Sequence, residues 1–96
     1  MTKAEAVLEN LARDFRFDKE TLLKESLKSF LEKKLVEVQA EIFKLGGKYG
    51  VKSSKEIDRK YEEGGLEEKD TWEDFFRLDH LEYRRDRIAK MLKELN

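Results

Sequence analysis

One stretch decides the fold of this chain: residues 31–45, which read LEKKLVEVQAEIFKL. Its apolar positions follow one another at spacings of 4, 3, 4 and 3, and they are Leu31, Leu35, Val38, Ile42 and Leu45. This heptad spacing places the five side chains along one side of an α-helix, where they can pack against a second helix. The stretch therefore predicts a long amphipathic helix that needs a helical partner.

The predicted helix extends beyond this stretch toward the N-terminus. Asp18 is a good N-cap, so we expect the helix to begin near Lys19. Gly46 is the first glycine after the stretch, and glycine readily adopts the left-handed conformation that ends many helices. The sequence therefore predicts a helix over residues 19–45.

A second long helix is predicted over residues 71–95. It repeats the heptad spacing at Leu78, Leu81, Arg85, Ile88 and Leu92. Arg85 puts a charge into this otherwise apolar seam, and such a charge is expected either to reach solvent or to pair across the seam. Glu37 and Glu41 of the first long helix are its expected partners.

Capping residues predict where the other helices begin. A Thr or Ser three residues before a Glu is the capping-box pattern, in which each side chain binds the other's backbone N–H. This pattern predicts two shorter helices, with Thr2 and Glu5 before residues 3–15 and Ser53 and Glu56 before residues 54–63. For the last helix, the cap is expected from Asp70 with Glu73 or from Thr71 with Asp74.

The composition agrees with a wholly helical chain. Proline is absent, and the five glycines are confined to three places, so few helix breakers occur in 96 residues. No stretch alternates apolar and polar residues as a strand would. The predicted fold is all-α, with two long amphipathic helices in an antiparallel hairpin, a short N-terminal helix and a short connecting helix, in a single helical domain over residues 1–96.

The apolar content is low for a small domain that folds alone. Only 39% of the residues are apolar and 45% are charged, whereas a chain of this size already leaves much of its surface exposed. We therefore expect a homo-oligomer, most simply a dimer, with the ten heptad positions named above as its seam. The heptad spacing is satisfied in two ways: the long helices pair within one chain, or they pair between two chains.

Charge and residue usage narrow the classes of partner. The 21 basic and 22 acidic residues nearly cancel, so nucleic acid is not an expected partner. No apolar run approaches the roughly 20 residues that span a bilayer, and no signal peptide is evident, so a cytoplasmic protein without membrane contact is expected. Abundant Lys and Glu with only three side-chain amides are typical of thermophilic proteins.

The sequence shows no arrangement of residues typical of an enzyme. His80 is the only histidine and cysteine is absent, so the ligands that most often hold zinc are missing. The serines do not lie in a sharp glycine-flanked turn, as a catalytic nucleophile often does. Residues 45–50, LGGKYG, lack the spacing of a phosphate-binding loop. We therefore predict no catalytic residues, no cofactor and no metal site.

One segment carries charge of a single sign. Residues 62–74 contain seven acids and one base, and the aromatic residues Trp72, Phe75 and Phe76 lie at its end. A solvated loop before a helix N-terminus explains this charge, and so does a docking site for a basic protein. For the second alternative, the candidate partner-binding residues are Glu67, Glu68, Asp70, Trp72, Phe75 and Phe76. Together with Tyr83 these aromatic residues could form a ligand-binding cage, but an aromatic stripe at helical spacing is more often core or interface.

The order of turns and short motifs is similar to that of a known class of proteins. The motifs are Lys48-Tyr49-Gly50-Val51, Ser53-Ser54, Glu56-Ile57, Tyr61-Glu62-Glu63-Gly64, Leu66 and Trp72-Glu73. Together they resemble small antitoxin-like proteins of prokaryotic toxin–antitoxin pairs, over about residues 31–83. The resemblance implies a non-catalytic protein that binds and masks a basic toxin-like partner. No strand precedes the long helix, so it does not imply the ribbon-helix-helix DNA binding of many antitoxins.

Overall fold

The computed structural model describes all residues 1–96 and contains four α-helices and no strands. Helix α1 spans Lys3–Asp14, α2 spans Lys19–Tyr49, α3 spans Ser54–Glu62 and α4 spans Trp72–Leu95. The predicted all-α fold is therefore confirmed. At 31 residues, α2 is about 46 Å long at the usual rise of an α-helix.

Helices α2 and α4 form the main contact of the chain. Near the C-terminal end of α2, Ile42 packs against the cluster that contains Leu78, from the start of α4. Farther toward the N-terminus of α2, Leu31 lies in one groove with Ile88 and Met91, which are near the end of α4. Rising residue numbers on α2 are thus matched by falling numbers on α4.

The core consists of two small apolar clusters joined end to end. The first lies between α2 and α4 around Val38, Leu81 and Ile88. The second lies where α3 packs on α4 and holds Val51, Ile57 and Leu78; its partly buried neighbours include Tyr61, Leu66 and Phe75. The nine apolar seam residues all belong to these clusters or pack against them. Within the chain they are already engaged, and their role between chains stays a prediction.

The molecule is elongated and exposes much surface. It measures 61 × 25 × 18 Å, and its radius of gyration of 19.5 Å exceeds the roughly 12–13 Å of a compact domain of this length. Its accessible surface of 7668 Å² is about 1,900 Å² larger than the roughly 5,800 Å² expected for a compact monomer of 11.5 kDa. The thin core therefore leaves apolar side chains exposed, as described below.

The predicted end of α2 at Gly46 is wrong, because the helix continues to Tyr49. Gly46 is buried, and a Cβ atom at this position would lie 2.5 Å from the carbonyl oxygen of Val51. The helix ends instead at Gly50, whose φ of 65° is left-handed. Gly46 thus provides room for the chain that returns after α2, whereas Gly50 makes the turn.

The caps of α1 and α3 differ in origin. At α1 the predicted capping box of Thr2 and Glu5 is present. At α3 the predicted box is wrong, because the Ser53 side chain makes no capping hydrogen bond. The carboxylate of Glu82, from α4, instead accepts hydrogen bonds from the backbone N–H of Ser54, at 2.9 Å, and from its hydroxyl. A residue distant in sequence therefore caps the buried start of α3.

Neither predicted cap of α4 is present. Thr71 is the N-cap residue but makes no side-chain capping bond; its hydroxyl instead bonds to the Tyr61 hydroxyl and donates to the Glu67 carbonyl in the preceding loop. The carboxylate of Asp74 points instead to the end of α2. Asp70 lies in the left-handed region at φ 69°, which Asp tolerates better than most residues.

Adjacent glycines provide a test of this account. We expect Gly46→Ala to lower the free energy of unfolding by about 1–3 kcal/mol, since its Cβ collides with the backbone of Val51. Gly47→Ala should raise the free energy of unfolding by about 0.5–1 kcal/mol. No atom lies within 4 Å of a Cβ built at position 47, and alanine favours the helix. Urea titrations followed by circular dichroism measure both changes. Equal effects of the two substitutions would contradict the described path of the chain after α2.

Candidate functional site

The six predicted partner-binding residues lie at the start of α4 and in the loop before it. Glu67, Glu68 and Asp70 are exposed. Trp72 is 51% exposed and Phe76 is 58% exposed. We call these five residues the acidic–aromatic surface. The sixth residue, Phe75, is half-buried and packs against the second core cluster, so it supports the surface from below.

The exposed aromatic rings are held by edge-to-face contacts that begin in the core. Tyr61 contacts Phe75 with ring centroids 5.8 Å apart, and Phe75 contacts Phe76 at 5.4 Å. Phe76 in turn contacts Trp72 at 5.9 Å. Each such pair contributes about 0.5–1.5 kcal/mol beyond simple burial. The two exposed rings are therefore fixed in place before any partner arrives.

Hydrogen bonds tie the acidic loop to α3. The hydroxyls of Tyr61 and Thr71 lie 2.8 Å apart, and Thr71 also donates to the backbone carbonyl of Glu67. A hydroxyl has only one proton, so Tyr61 donates to Thr71 in this arrangement. The loop that carries the acids is thereby anchored, and its carboxylates project from a defined backbone.

Most of the acids in residues 62–74 have no cationic partner. Asp74 pairs with Lys48 at 2.8 Å, but none of the other six acids takes part in an ion pair. Unpaired carboxylates near one another create a negative potential that extends into solvent. The acidic–aromatic surface therefore combines apolar contact area with a local negative field.

The carboxylate of Asp74 joins α4 to the end of α2. It accepts hydrogen bonds from Lys48 Nζ and from the hydroxyl of Tyr49, and these donors lower the pKa of Asp74 below its usual range. The same carboxylate raises the pKa of Lys48 and of Tyr49. Lys60 donates to the backbone carbonyl of Tyr49 at 2.9 Å, so α3 is fixed to the same point.

The predicted pairing of Arg85 with Glu41 or Glu37 is wrong. Arg85 is half-buried, and its Nε donates to Asp86, the next residue along α4, at 3.0 Å. Glu41 is occupied by Arg77, and Glu37 pairs with Lys34 within α2. The guanidinium of Arg85 therefore turns out of the seam toward Asp86. Arg85 also lines a groove of about 460 Å³ beside Gly46.

Other candidate residues from the sequence lie apart from this surface. His80 is exposed. Tyr83 is 61% exposed and lines a different groove, between α2 and α4, with Phe30 and Leu31. The possible aromatic cage of Trp72, Phe75, Phe76 and Tyr83 is therefore not assembled.

No three His, Asp or Glu side chains form a group that could hold a metal ion. None of the helices combines the length and apolar content that crossing a membrane requires.

Sequence reasoning missed two residues that position this region, Glu82 and Tyr49. Glu82 is one of several acids on α4, and no local pattern marks it as the cap of α3. Tyr49 lies beyond the predicted end of α2 at residue 45, whereas in the structure it belongs to the last turn of that helix. Its hydroxyl meets Asp74 because of the longer helix.

The fold and this surface define a small all-α protein that exposes a fixed acidic and aromatic surface. The chain belongs to the family described as "Uncharacterized protein MJ0235 family", which matches residues 1–96. It is similar to "Uncharacterized protein MJ0235" of Methanocaldococcus jannaschii, with 31% identity over 77 residues that cover 80% of this chain and 94% of the relative. No solved structure matches the chain.

The Asp74 contact predicts a dependence of stability on pH. Because the pKa of Asp74 is lowered in the folded chain, its stabilisation is fully present above the usual Asp pKa of about 3.9 and is lost as the pH falls through the lower folded value. Asp74→Asn should lower the free energy of unfolding by about 1 kcal/mol at neutral pH, a modest amount because Lys48 is well exposed. The difference in free energy of unfolding between wild type and Asp74→Asn should shrink as the pH falls into the acidic range.

Thermal melts between neutral and acidic pH measure this effect. Asp79→Asn is the matched control, because Asp79 is an exposed acid of the same helix without an ion pair. A difference between wild type and Asp74→Asn that stays constant down to the lowest pH would contradict the assigned contact.

Proposed function

We propose that this chain is a non-catalytic, antitoxin-like interaction module that acts in the cytoplasm by binding and masking a basic partner protein. The observation that carries the proposal is the acidic–aromatic surface, where two fixed aromatic rings lie beside acids without cationic partners. The resemblance of residues 31–83 to antitoxin-like proteins supports the same function.

The two components of the surface have different physical roles in binding. Trp72 and Phe76 are each about half exposed, so burying the remaining half of each side chain contributes about half of the roughly 1.5–3 kcal/mol of full burial. Fixed aromatic residues are typical anchors of protein interfaces, since little conformational entropy is lost when they bind. The acids add long-range attraction, which speeds the approach of a basic protein.

A basic partner fits this charge better than a neutral one. A toxin that acts on nucleic acid must hold phosphates, so its active surface carries Lys and Arg. An acidic surface that covers these cations would block access to the nucleic acid. In this proposal the antiparallel hairpin of α2 and α4 presents the acidic–aromatic surface at the end where Asp74 meets Lys48 and Tyr49.

A second candidate function is that of a self-associating structural protein. It is favoured by the large accessible surface of 7668 Å², since the excess over a compact monomer is about twice the 800 Å² that each partner buries in a standard interface. Self-association and partner binding are compatible, because they can use different surfaces.

Charge removal tests the partner-binding proposal. We expect the triple variant Glu67→Gln, Glu68→Gln and Asp70→Asn to slow association with the partner about tenfold at low salt and to flatten its salt dependence. Asn is chosen at position 70 because it tolerates the left-handed backbone there. The partner to use is a purified basic protein encoded beside this chain's gene, and stopped-flow mixing over a range of salt measures the rates.

Replacing the exposed aromatic residues by Ala separates their contribution to holding the partner from the contribution of the acids to attracting it. Trp72→Ala and Phe76→Ala should each speed dissociation at least tenfold with little change in association. Phe43→Ala is the control, because Phe43 is 84% exposed and lies on α2, outside the acidic–aromatic surface. Unchanged kinetics in both the charge and the aromatic variants, with helicity retained, would refute the proposed surface.

A further inference from the structure

The N-terminal part of the chain exposes an unusual number of apolar side chains. Eight of the thirteen exposed large apolar residues lie in residues 1–30, which we call the N-terminal arm. The arm comprises α1 and the first part of α2. Six of the eight lie at helical spacing: Val7, Leu11 and the C-cap residue Phe15 on α1, and Leu23, Leu27 and Phe30 on α2.

The fold itself explains why the arm is uncovered. Helix α4 ends at Leu95, which lies in one groove with Leu27 and Leu31. Among the residues that share a groove or an apolar cluster with α4, Leu27 is the earliest residue of α2. Helix α1 packs against α2 there, but Ala12 is its only buried residue, and Ala6 and Leu8 are half-buried. A 12-residue helix covers one side of the start of α2, and the other side stays open.

The arm is ordered without a partner. The capping box of Thr2 and Glu5 begins α1, and the Asp18 carboxylate accepts hydrogen bonds from the backbone and hydroxyl of Thr21 at the start of α2. Lys19 pairs with Glu9 across the turn, at 3.3 Å. The exposed apolar side chains are therefore held on preformed helices, which lowers the entropic cost of association.

The exposed surface of the chain as a whole, of which the arm is one part, is large enough to supply a permanent interface between chains. The chain exposes about 1,900 Å² more than a compact monomer of its mass. Obligate homodimers bury roughly 2,000–5,000 Å² in total, or about 1,000–2,500 Å² on each chain. The groove of about 480 Å³ at the end of α4, lined by Leu27, Phe30 and Leu95, adds apolar surface beside the arm.

Charge indicates which partner covers the arm. Residues 1–30 carry six basic and six acidic residues, so the arm is neutral with both signs interspersed. A twofold interface brings each patch against its own copy and must be self-complementary, which a neutral mixed surface satisfies. Residues 62–74 carry seven acids and one base, and two such segments would repel each other. The acidic segment thus suits a foreign basic protein, and the arm suits a copy of this chain.

We propose that the N-terminal arm is the interface with a second copy of this chain, formed by apolar contact between the two arms about a twofold axis. This inference rests on the self-association named above as the second candidate function. It assigns the interface to Val7, Leu11, Phe15, Leu23, Leu27 and Phe30, and it leaves the acidic–aromatic surface free to bind another protein.

The test is the mass in solution of arm variants and matched controls. Val7→Glu and Leu27→Glu each place a charge at a partly exposed position of the arm, 56% and 45% exposed in one chain. Val36→Glu and Phe43→Glu place the same charge at exposed positions of α2 beyond the arm, 65% and 84% exposed. Light scattering and sedimentation equilibrium, from low to high micromolar concentration, measure the mass, and circular dichroism checks the helicity.

We expect wild type and both controls to have twice the monomer mass of 11.5 kDa. The arm variants should dissociate, with the dimer dissociation constant raised at least a hundredfold because a charge buried at an apolar interface is costly. Amide hydrogen exchange in α1 of the wild type should also slow as its concentration rises, and this measurement does not depend on any variant.

Each other outcome is decisive. A wild-type dimer that the arm variants leave intact, with exchange in α1 independent of concentration, would overturn the arm as the interface while self-association stands. A monomeric wild type would overturn both. Dissociation of the two controls as well would show that the interface is not confined to the arm. None of these results bears on binding through the acidic–aromatic surface.

Discussion

The apolar contact between α2 and α4 is the constraint on which the rest of the structure depends. Only nine residues of the chain are buried, and Val38, Leu81 and Ile88 form the centre of that contact. The contact brings Leu78 to the place where α3 packs, and α3 in turn supports the aromatic rings of α4. Without the α2–α4 contact, the chain would lack both a core and a platform for the acidic–aromatic surface.

This thin core makes the two ends of the molecule physically different. At one end the chain turns back through α3, and polar contacts of Asp74 and Glu82 fix the returning segments to α2 and α4. At the other end the first residues of α2 pack against α1. The first end carries net negative charge and packed aromatic rings, whereas the second has balanced charges and exposes eight large apolar side chains. Different interactions are therefore suited to each end.

The folding of α3 shows how the polar and apolar contacts cooperate. A nine-residue helix is too short to be stable alone in water. It is held by burial of Ile57 and by the Glu82 carboxylate, which accepts hydrogen bonds from the backbone N–H and the hydroxyl of Ser54. Two glycines make this possible without strain, since Gly46 gives Val51 room to approach α2 and Gly50 adopts the left-handed turn.

The sequence by itself determined the four helices, the starts of the first two and the positions that line the contact between α2 and α4. These follow from spacing and local capping, as at Thr2 and Asp18, which involve residues close together in the chain. It also indicated the acidic segment and its neighbouring aromatics. Only the tertiary structure decided that Glu82 caps α3, that Asp74 binds Lys48 and Tyr49, that Arg85 turns to Asp86, and that Phe75 is support while Trp72 and Phe76 are exposed. The physical reason is that a carboxylate or a ring has several acceptable partners, and the one it meets is set by which helices the core brings together.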